Sequence, residues 1–179
     1  MASIIKANQL QDFGGNSIIG SDGAGNLTTQ KTNYPAFLAY ASSSQTLTDN
    51  TTTKVQFNSE FYDTDNAYDN STNYRFTPQV AGKYFVHSYT NANSGTNTNI
   101  KRHFQYIYKN GSQIQLFNND MRDSYGRLLP LNTTYVVEMN GSSDYLEIFI
   151  LIDTNNSGTS TLTNGSTEHS FFGAYRLGS

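Results

Sequence analysis

The clearest pattern in the chain is an alternation of large side chains over the segment 83–89. In an extended chain successive side chains point to opposite faces, so each face collects every second residue. One face would carry Tyr84, Val86 and Ser88, and the other Phe85, His87 and Tyr89. Aromatic and β-branched residues dominate both sets, which predicts a strand that is covered on both faces.

Shorter stretches of the same kind predict further strands. They are Phe37–Tyr40, Lys54–Asn58, Arg75–Phe76, Phe104–Tyr108, Ile114–Phe117, Tyr135–Met139, Tyr145–Ile152 and His169–Leu177. Asn110-Gly111 and the turn 140–143 are typical of hairpins. No window has helical periodicity without a break. About eight to ten strands at this spacing predict an all-β sandwich or barrel.

The first 34 residues differ from the rest and predict a separate arm, residues 1–34, ahead of a head, residues 35–179. Short apolar segments alternate with glycine-containing turns, and their apolar residues are Ile4, Ile5, Leu10, Ile18, Ile19 and Leu27. These strands hold too little apolar mass to bury one another. The arm is therefore either a flexible leader or a segment that binds a neighbouring subunit.

Three polar segments of the head predict surface loops. They are Asn91–Asn99, Asn118–Arg127 and Thr154–Glu168. Exposed loops are where ligand contacts accumulate, and Asn, Thr, Ser and Asp suit contacts with sugars. The same residue types suit any exposed turn.

Composition and charge exclude several classes of protein. The net charge is -3 and the basic residues are dispersed, so nothing in the sequence indicates a nucleic-acid partner. The longest apolar run, Ile148–Ile152, is far shorter than the ~20 residues of a membrane span. The amino terminus lacks the pattern of a signal peptide, which predicts a protein assembled in the cytoplasm. Cysteine is absent, so disulfides and thiolate metal sites are excluded.

No pattern in the sequence indicates a catalytic centre, so we predict a protein that is not an enzyme. There is no nucleophile elbow, and the three histidines, His87, His103 and His169, have no metal-ligand spacing. His87 is expected to be a structural residue at a subunit contact. The carboxylate pairs Glu60/Asp63 and Asp120/Asp123 lie in predicted turns. The acidic turn 60–74 has tyrosines, Tyr68 and Tyr74, where a calcium loop would need Gly and Glu. We predict no cofactor.

Four motifs in order resemble the globular head of complement C1q, a family related to tumour necrosis factor (TNF). The first consists of Tyr68-Asp69, Thr72, Phe76, Gly82 and Tyr84. The others are YIYKNG at 106–111, VVEMNGSSDYLEIFI at 136–150 and SFFGAYRL at 170–177. Together they cover roughly residues 35–177. The spacing from Thr72 to Phe76 is one residue longer than the family pattern.

The resemblance implies a jelly roll of two antiparallel sheets and a homotrimer that associates through aromatic strand faces. The trimer-interface candidates are Tyr84, Tyr89, Tyr106, Tyr108 and Phe171. Some C1q-like heads bind Ca²⁺ near the trimer apex, but no ligand residue can be carried over to this sequence.

The arm resembles the amino-terminal part of small virion proteins of tailed bacteriophages, and two functional hypotheses follow. In the first, the protein is a trimeric capsid decoration or cement protein, located in the virion. Its arm would bind the major capsid protein or another virion protein through Ile4, Ile5, Leu10, Ile18, Ile19 and Leu27. In the second, the head is a tail-fibre tip or adhesin whose three loops bind a host-surface glycan or protein.

Overall fold

The computed structural model describes residues 9–15, 17–29, 34–95, 97–121, 123–164 and 170–178, without the side chains of residues 17 and 27–29. The chain divides into an N-terminal unit, Met1–Tyr34, and a head, Pro35–Ser179. All regular elements of the described residues are strands, so this part of the chain has no helix that could span a membrane.

The N-terminal unit contains one small antiparallel sheet. Its strands are β1 (Gln9–Gln11), β2 (Ser17–Ser21) and β3 (Leu27–Thr29), in the order β1-β2-β3. Leu10 lies opposite Ile19 across the first pair. Asp22 fixes the turn before β3, because its Oδ1 accepts hydrogen bonds from the backbone N–H groups of Ala24 and Asn26.

The head consists of two antiparallel sheets that share one core. Its strands are β4 (Ala36–Tyr40), β5 (Gln45–Leu47), β6 (Thr53–Lys54), β7 (Ser59–Asp63), β8 (Tyr68–Asp69), β9 (Arg75–Phe76), β10 (Gly82–Asn93), β11 (Ile100–Lys109), β12 (Ser112–Asp120), β13 (Leu128–Met139), β14 (Leu146–Thr154), β15 (Ser160–Leu162) and β16 (Phe171–Gly178). The large sheet has the order β5-β15-β10-β16-β4-β7, with β13 paired to β10. The small sheet has the order β12-β11-β14-β9-β8, with β6 paired to β14. The predicted all-β jelly roll is confirmed.

An aromatic cluster fills one half of the interior. The Phe37 ring is its centre, with ring centroids 4.8 Å from Tyr68, 4.4 Å from Phe76 and 4.9 Å from Phe172. Tyr84 of β10 extends the cluster, its ring centroid lying 5.6 Å from that of Phe76. The four phenylalanine and tyrosine rings that surround or extend from Phe37 come from both sheets, so the cluster joins them.

Further along β10 the interior becomes polar. Thr90, His103, Gln105 and Thr133 are all buried there. Thr90 and Thr133 belong to the large sheet, whereas His103 and Gln105 belong to the small sheet. We call these four residues the polar chain.

The predicted loops turned out to be partly strand. β10 continues to Asn93, β12 continues to Asp120, and β15 lies within the predicted loop Thr154–Glu168. Asn91 and Asn99, expected at a surface tip, are buried. Local composition failed at Asn91 because it lies opposite Pro130 in the ladder of β10 and β13. Asn99 lies outside the strands, and its carbonyl oxygen accepts the backbone N–H of Asn155.

β13 begins at Leu128, well before the predicted start at Tyr135. Its first half alternates buried Leu129, Leu131 and Thr133 with exposed residues, one of which is Pro130. A proline is tolerated because β13 ends the sheet beside β10 and needs ladder hydrogen bonds on one side only. Asn119 caps the exposed edge by donating from Nδ2 to the Pro130 carbonyl oxygen at 2.8 Å.

The predicted strand Lys54–Asn58 is paired only at Thr53–Lys54. Val55 and Phe57 are fully buried, as the alternation predicted. The segment nevertheless leaves the ladder, because it crosses from β6 of the small sheet to β7 of the large sheet. A crossing segment cannot remain hydrogen-bonded along either sheet.

Candidate functional site

The motif residues that carry the resemblance hold the fold together. Asp69 accepts backbone N–H bonds from Thr72 at 2.9 Å and Ser71 at 3.0 Å, which keeps the pKa of its carboxyl well below the usual range. The Tyr84 hydroxyl donates to the Val80 carbonyl oxygen at 2.7 Å, and burial raises its pKa to about 12. Phe76 is fully buried. These residues therefore have structural roles.

The glycine of the same motif, Gly82, is required by a close approach of two strands. Its φ is 145°, and a Cβ atom there would lie 2.3 Å from the carbonyl oxygen of Gly178. Any other residue would push β16 away from β10 at this end of the large sheet.

The outward side of the large sheet carries a continuous band of rings, which we call the aromatic face. Its members are Tyr40, Phe61, Phe85, His87, Tyr89, Phe171 and Tyr175. Tyr89 and Phe171 are stacked with ring centroids 5.6 Å apart, and Phe85 lies 5.3 Å from Tyr175. Tyr175 and Phe61 are 43% and 57% exposed. The band crosses β7, β4, β16 and β10, so it is a property of the assembled sheet.

His87 lies at the centre of the aromatic face because Gly173 makes room for it. The two residues are directly opposite in the β10–β16 ladder. A Cβ atom at Gly173 would lie 2.6 Å from His87 Nε2 and 2.9 Å from the Phe37 carbonyl oxygen. Burial lowers the pKa of His87 below its usual value. The glycine of the SFFGAYRL motif thus has a packing role.

A β-bulge turns Phe61 onto the aromatic face. In the β4–β7 ladder Ala39 pairs with Glu60 and Leu38 pairs with Tyr62, which leaves Phe61 as the extra residue. The Phe61 ring then packs on Tyr40 with centroids 4.3 Å apart. Bulges redirect side chains at sheet edges, and β7 is an edge strand. The sequence contains no signal for this bulge.

A second row of rings, the aromatic strip, lies on the outward side of the small sheet. It consists of Phe104, Tyr106 and Tyr108 of β11 with Phe149 of β14. Ion pairs flank it: Lys54 with Glu147, and Lys101 and Arg102 with Asp153. Burial acts to raise the pKa of Asp153, but the hydrogen bonds from Lys101 and Arg102 outweigh it and the pKa is lowered.

The five trimer-interface candidates separate into three places. Tyr89 and Phe171 lie together on the aromatic face, and Tyr106 and Tyr108 lie on the aromatic strip. Tyr84 is a correction: its side chain is fully buried in the core of its own subunit and cannot contact another. The two-faced pattern of residues 84–89 was visible in the sequence, but which face is internal depends on the opposing sheet.

Among the candidate carboxylates, Asp63 serves as a turn cap. Asp63, paired with Glu60 as a catalytic candidate, accepts the backbone N–H of Tyr68 at 2.7 Å and that of Asp65 at 3.2 Å. Burial and the nearby charge of Asp63 raise the pKa of Glu60. Glu60 lines an open polar cleft of about 590 Å³ beside the turn 66–71. Among the described residues no group of three or more His, Asp and Glu could hold a metal ion.

The apolar candidates of the arm are exposed wherever the structure describes their side chains. Leu10, Ile18 and Ile19 of the small sheet are 56%, 47% and 39% exposed. Phe13, in the turn between β1 and β2, is also exposed and was not a candidate. Ile4 and Ile5 lie outside the described residues, as does His169, and Leu27 is described only by its backbone.

Comparisons with known proteins identify the fold of the head. No protein-family model and no curated protein matches the chain. The globular domain of zebrafish complement 1qA superposes with a TM-score of 0.56 at 14% identity, covering 80% of this chain and 97% of that domain. Murine APRIL superposes with a TM-score of 0.57 at 11% identity, covering 81% of this chain and all of the APRIL chain. The head therefore has the jelly-roll fold of C1q-like and TNF-like globular heads.

Proposed function

We propose that this protein is a homotrimeric structural protein of a virion, a capsid decoration or cement protein. In this proposal the heads meet about a three-fold axis and the N-terminal unit attaches the trimer to the major capsid protein or another virion protein. The aromatic face is the observation that carries the trimer. The exposed apolar residues of the N-terminal unit support an attachment role, and the resemblance to phage virion proteins motivates the choice of partner.

The aromatic face suits a subunit contact better than contact with water. A contiguous apolar patch of this kind is typical of interaction sites, and apolar burial contributes ~25 cal/mol per Å². The face is rigid as well, because its rings stand on four hydrogen-bonded strands. The jelly-roll fold fits a trimer because the resemblance implies association through such faces.

A ring of three identical subunits joins one surface of each subunit to a different surface of the next. The aromatic face of one head would therefore contact another surface of its neighbour. Tyr106 and Tyr108, on the opposite sheet, remain candidates for that second surface.

The test is the oligomeric state of the whole chain at micromolar concentration. We expect sedimentation equilibrium to give a trimer for the wild-type protein. The double substitution Tyr89→Glu with Phe171→Glu should give a folded monomer, because each of the three subunits would place two charged side chains in an apolar interface. Gln113→Glu, an exposed position on β12, adds charge without affecting the trimer. A monomeric wild-type protein would refute the trimer.

The double substitution Tyr106→Glu with Tyr108→Glu tests whether the aromatic strip is the second surface of the subunit contact.

The attachment role has a separate test. Deletion of residues 1–32 should leave a trimeric head that no longer associates with purified particles, because the apolar residues of the N-terminal unit are lost. Leu10→Ser with Ile19→Ser, which lie opposite each other in the small sheet, should weaken association without changing the oligomeric state. Full association of the truncated trimer would contradict the proposal.

The adhesin alternative has less support from the structure. All three of its loops are shortened, by strands β10, β12 and β15, and two asparagines of the first loop, Asn91 and Asn99, are buried. No single observation favours a glycan site over an exposed turn in what remains.

A further inference from the structure

The aromatic strip is a row of partly exposed rings on the outward side of the small sheet. Phe104, Tyr106 and Tyr108 take alternate positions on β11, so they share one side of the strand, and each is half-buried. Successive ring centroids lie 6.4 Å and 6.2 Å apart, and the planes of Phe104 and Tyr106 differ by 14°. Phe149 widens the row beside Tyr108, with ring centroids 4.4 Å apart. The strip therefore offers several ring faces in a line.

Strand pairing places apolar and amide side chains beside the strip. Residues opposite each other in a ladder share one side of the sheet. Leu116 of β12 and Leu151 of β14 lie opposite rings of the strip and are half-buried. Gln113 and Asn118 of β12 lie opposite the last and the first ring of the β11 row, and both are exposed. The rings are thus bordered by groups that can exchange hydrogen bonds with a ligand.

Among the described residues, three cations flank the strip, and buried carboxylates hold them. Lys54 pairs with Glu147, and Lys101 and Arg102 both pair with Asp153. The β11–β14 register shifts at Lys101, which directs two consecutive basic residues to one carboxylate. The carboxylate side chains are 7% and 6% exposed, whereas the cations are 34%, 29% and 33% exposed. Solvent therefore meets N–H donors beside the rings, while the acceptors lie beneath.

Two of these cations also contact the rings, which makes the strip rigid before any ligand binds. Lys54 Nζ lies 5.7 Å from the ring centroid of Phe149, and Arg102 Cζ lies 5.6 Å from that of Phe104. Each cation is thus held by a buried carboxylate and by an aromatic ring. Side chains that are already fixed lose little conformational entropy on binding. The strip is therefore preorganised for a ligand.

The charges around the strip decide the kind of ligand. In the part of the chain that the structure describes, the three cations are matched by three carboxylates, Glu147, Asp153 and Asp120, which lies opposite Arg102 on β12. A balanced surface gives no net attraction for a polyanion such as nucleic acid. Its accessible groups are ring faces and N–H donors, which match an uncharged ligand with C–H groups and oxygen acceptors.

Saccharides combine these two features. One side of a pyranose ring presents C–H groups, and the electron-rich face of an aromatic ring attracts them. Hydroxyl oxygens surround the sugar ring and accept hydrogen bonds from ammonium and guanidinium groups. Binding sites with aromatic walls and a few polar groups that fix orientation are typical of small ligands. A row of rings longer than one sugar matches an oligosaccharide better than a single unit.

A second copy of the chain is the main competing occupant of the strip. The strip and the aromatic face lie on the outward sides of the two sheets, which point away from each other in a two-layer sandwich. Joining opposite sides of subunits from head to tail extends a row and does not close a ring of three. This geometry favours a saccharide over a second copy.

We propose that the aromatic strip is a binding platform for an uncharged oligosaccharide. The sugar rings stack on the four aromatic rings, and their hydroxyl oxygens accept hydrogen bonds from Lys54, Lys101 and Arg102. The platform is built on paired strands, unlike a site on the polar loops. It goes beyond the proposed function and does not depend on it, because each head contains the whole strip.

The first test is the binding of uncharged oligosaccharides to the full chain by isothermal titration calorimetry. The probes are oligomers of glucose, galactose, mannose and N-acetylglucosamine, from single sugars to short chains, with an oligogalacturonate as the charged comparison. At least one uncharged series should bind, and its affinity should rise with chain length because more rings are covered. Binding by none of them, or tighter binding of the oligogalacturonate, would overturn the proposal.

Substitutions then locate the site. Tyr106→Ala with Phe149→Ala removes two ring faces, so the Kd of the bound oligosaccharide should rise about tenfold. Tyr106→Phe keeps the ring and should keep most of the affinity. The matched control Tyr62→Ala removes an exposed tyrosine of the large sheet and should leave the Kd unchanged. An equal Kd for the wild type and the double alanine variant would overturn the proposal.

A measurement on the wild-type chain covers the case in which the double alanine variant does not fold. In NMR spectra the oligosaccharide should shift the ring resonances of the strip and leave those of Tyr89 and Phe171 unchanged. Shifts confined to other residues would overturn the proposal, and so would a monomer from Tyr106→Glu with Tyr108→Glu, since the strip would then be a subunit contact. Sedimentation and particle association test the trimer and the attachment role separately, so either proposal can fail alone.

Discussion

The two halves of the head interior lie along the same strand, β10, and are held together in different ways. Around Tyr84 the interior is a cluster of rings centred on Phe37. Around Thr90 it is a series of hydrogen bonds through His103 and Gln105. Ring packing has weak directional demands, whereas each buried hydrogen bond must have the right donor and acceptor. We therefore expect the aromatic half to contribute most of the stability and the polar half to contribute specificity between the two sheets.

The comparison also explains where the head is weakest. In the described residues three buried polar atoms have no hydrogen-bond partner, and they are Asn91 Oδ1, Asn99 Oδ1 and Ser160 Oγ. Asn91 adjoins Thr90 of the polar chain, and β15, which contains Ser160, pairs with the same end of β10. An unpaired buried oxygen costs free energy. Local opening should therefore begin in the polar half.

The largest effect should come from the centre of the aromatic half. Phe37→Ala removes a fully buried ring that contacts three others, and we expect a loss of about 3–5 kcal/mol in the free energy of unfolding. Denaturant unfolding at pH 7 measures it. The exposed Tyr62→Ala is the control and should change stability little. If Phe37→Ala lost less free energy of unfolding than the variants of the polar chain, the polar half would contribute more stability than the aromatic half.

A smaller effect is expected in the polar half, and it should depend on how many partners are removed. Thr90→Val removes the hydroxyl that contacts His103 Nε2 and Gln105 Oε1, so it should cost about 1–3 kcal/mol. Replacing all four members by apolar residues, Thr90→Val, His103→Leu, Gln105→Leu and Thr133→Val, should cost less than Thr90→Val alone. Denaturant unfolding of both variants decides this. A greater loss in the fourfold variant would mean that the polar chain contributes net stability.

The smallest effect is expected when a hydroxyl group is removed from the aromatic half. Tyr84→Phe removes the hydroxyl that donates to the Val80 carbonyl oxygen, and we expect a loss of about 1 kcal/mol or less. The measurement is again denaturant unfolding, beside Thr90→Val. Equal losses in the two variants would show that the halves do not differ in their demand for hydrogen bonds.

Many features of the head could be predicted from the sequence because they depend on near neighbours. The alternation in residues 83–89 gave the two faces of β10, and Asn110-Gly111 gave the hairpin between β11 and β12. The four motifs carried the resemblance that predicted the jelly roll, and one motif residue, Asp69, satisfies the backbone of its own turn. Alternation, turn chemistry and backbone sterics act over a few residues, so a single sequence reveals them.

The candidate site depended on contacts between distant segments. Tyr84 and Tyr89 belong to one alternating strand, and only the opposing small sheet decides that Tyr84 is internal and Tyr89 outward. The same holds for His103, which enters the interior opposite Thr90, and for Phe61, which a bulge turns toward Tyr40. The sequence by itself determined strands, turns and the resemblance to C1q-like heads. The tertiary structure alone decided which rings meet, because register and sheet packing are set by the whole chain at once.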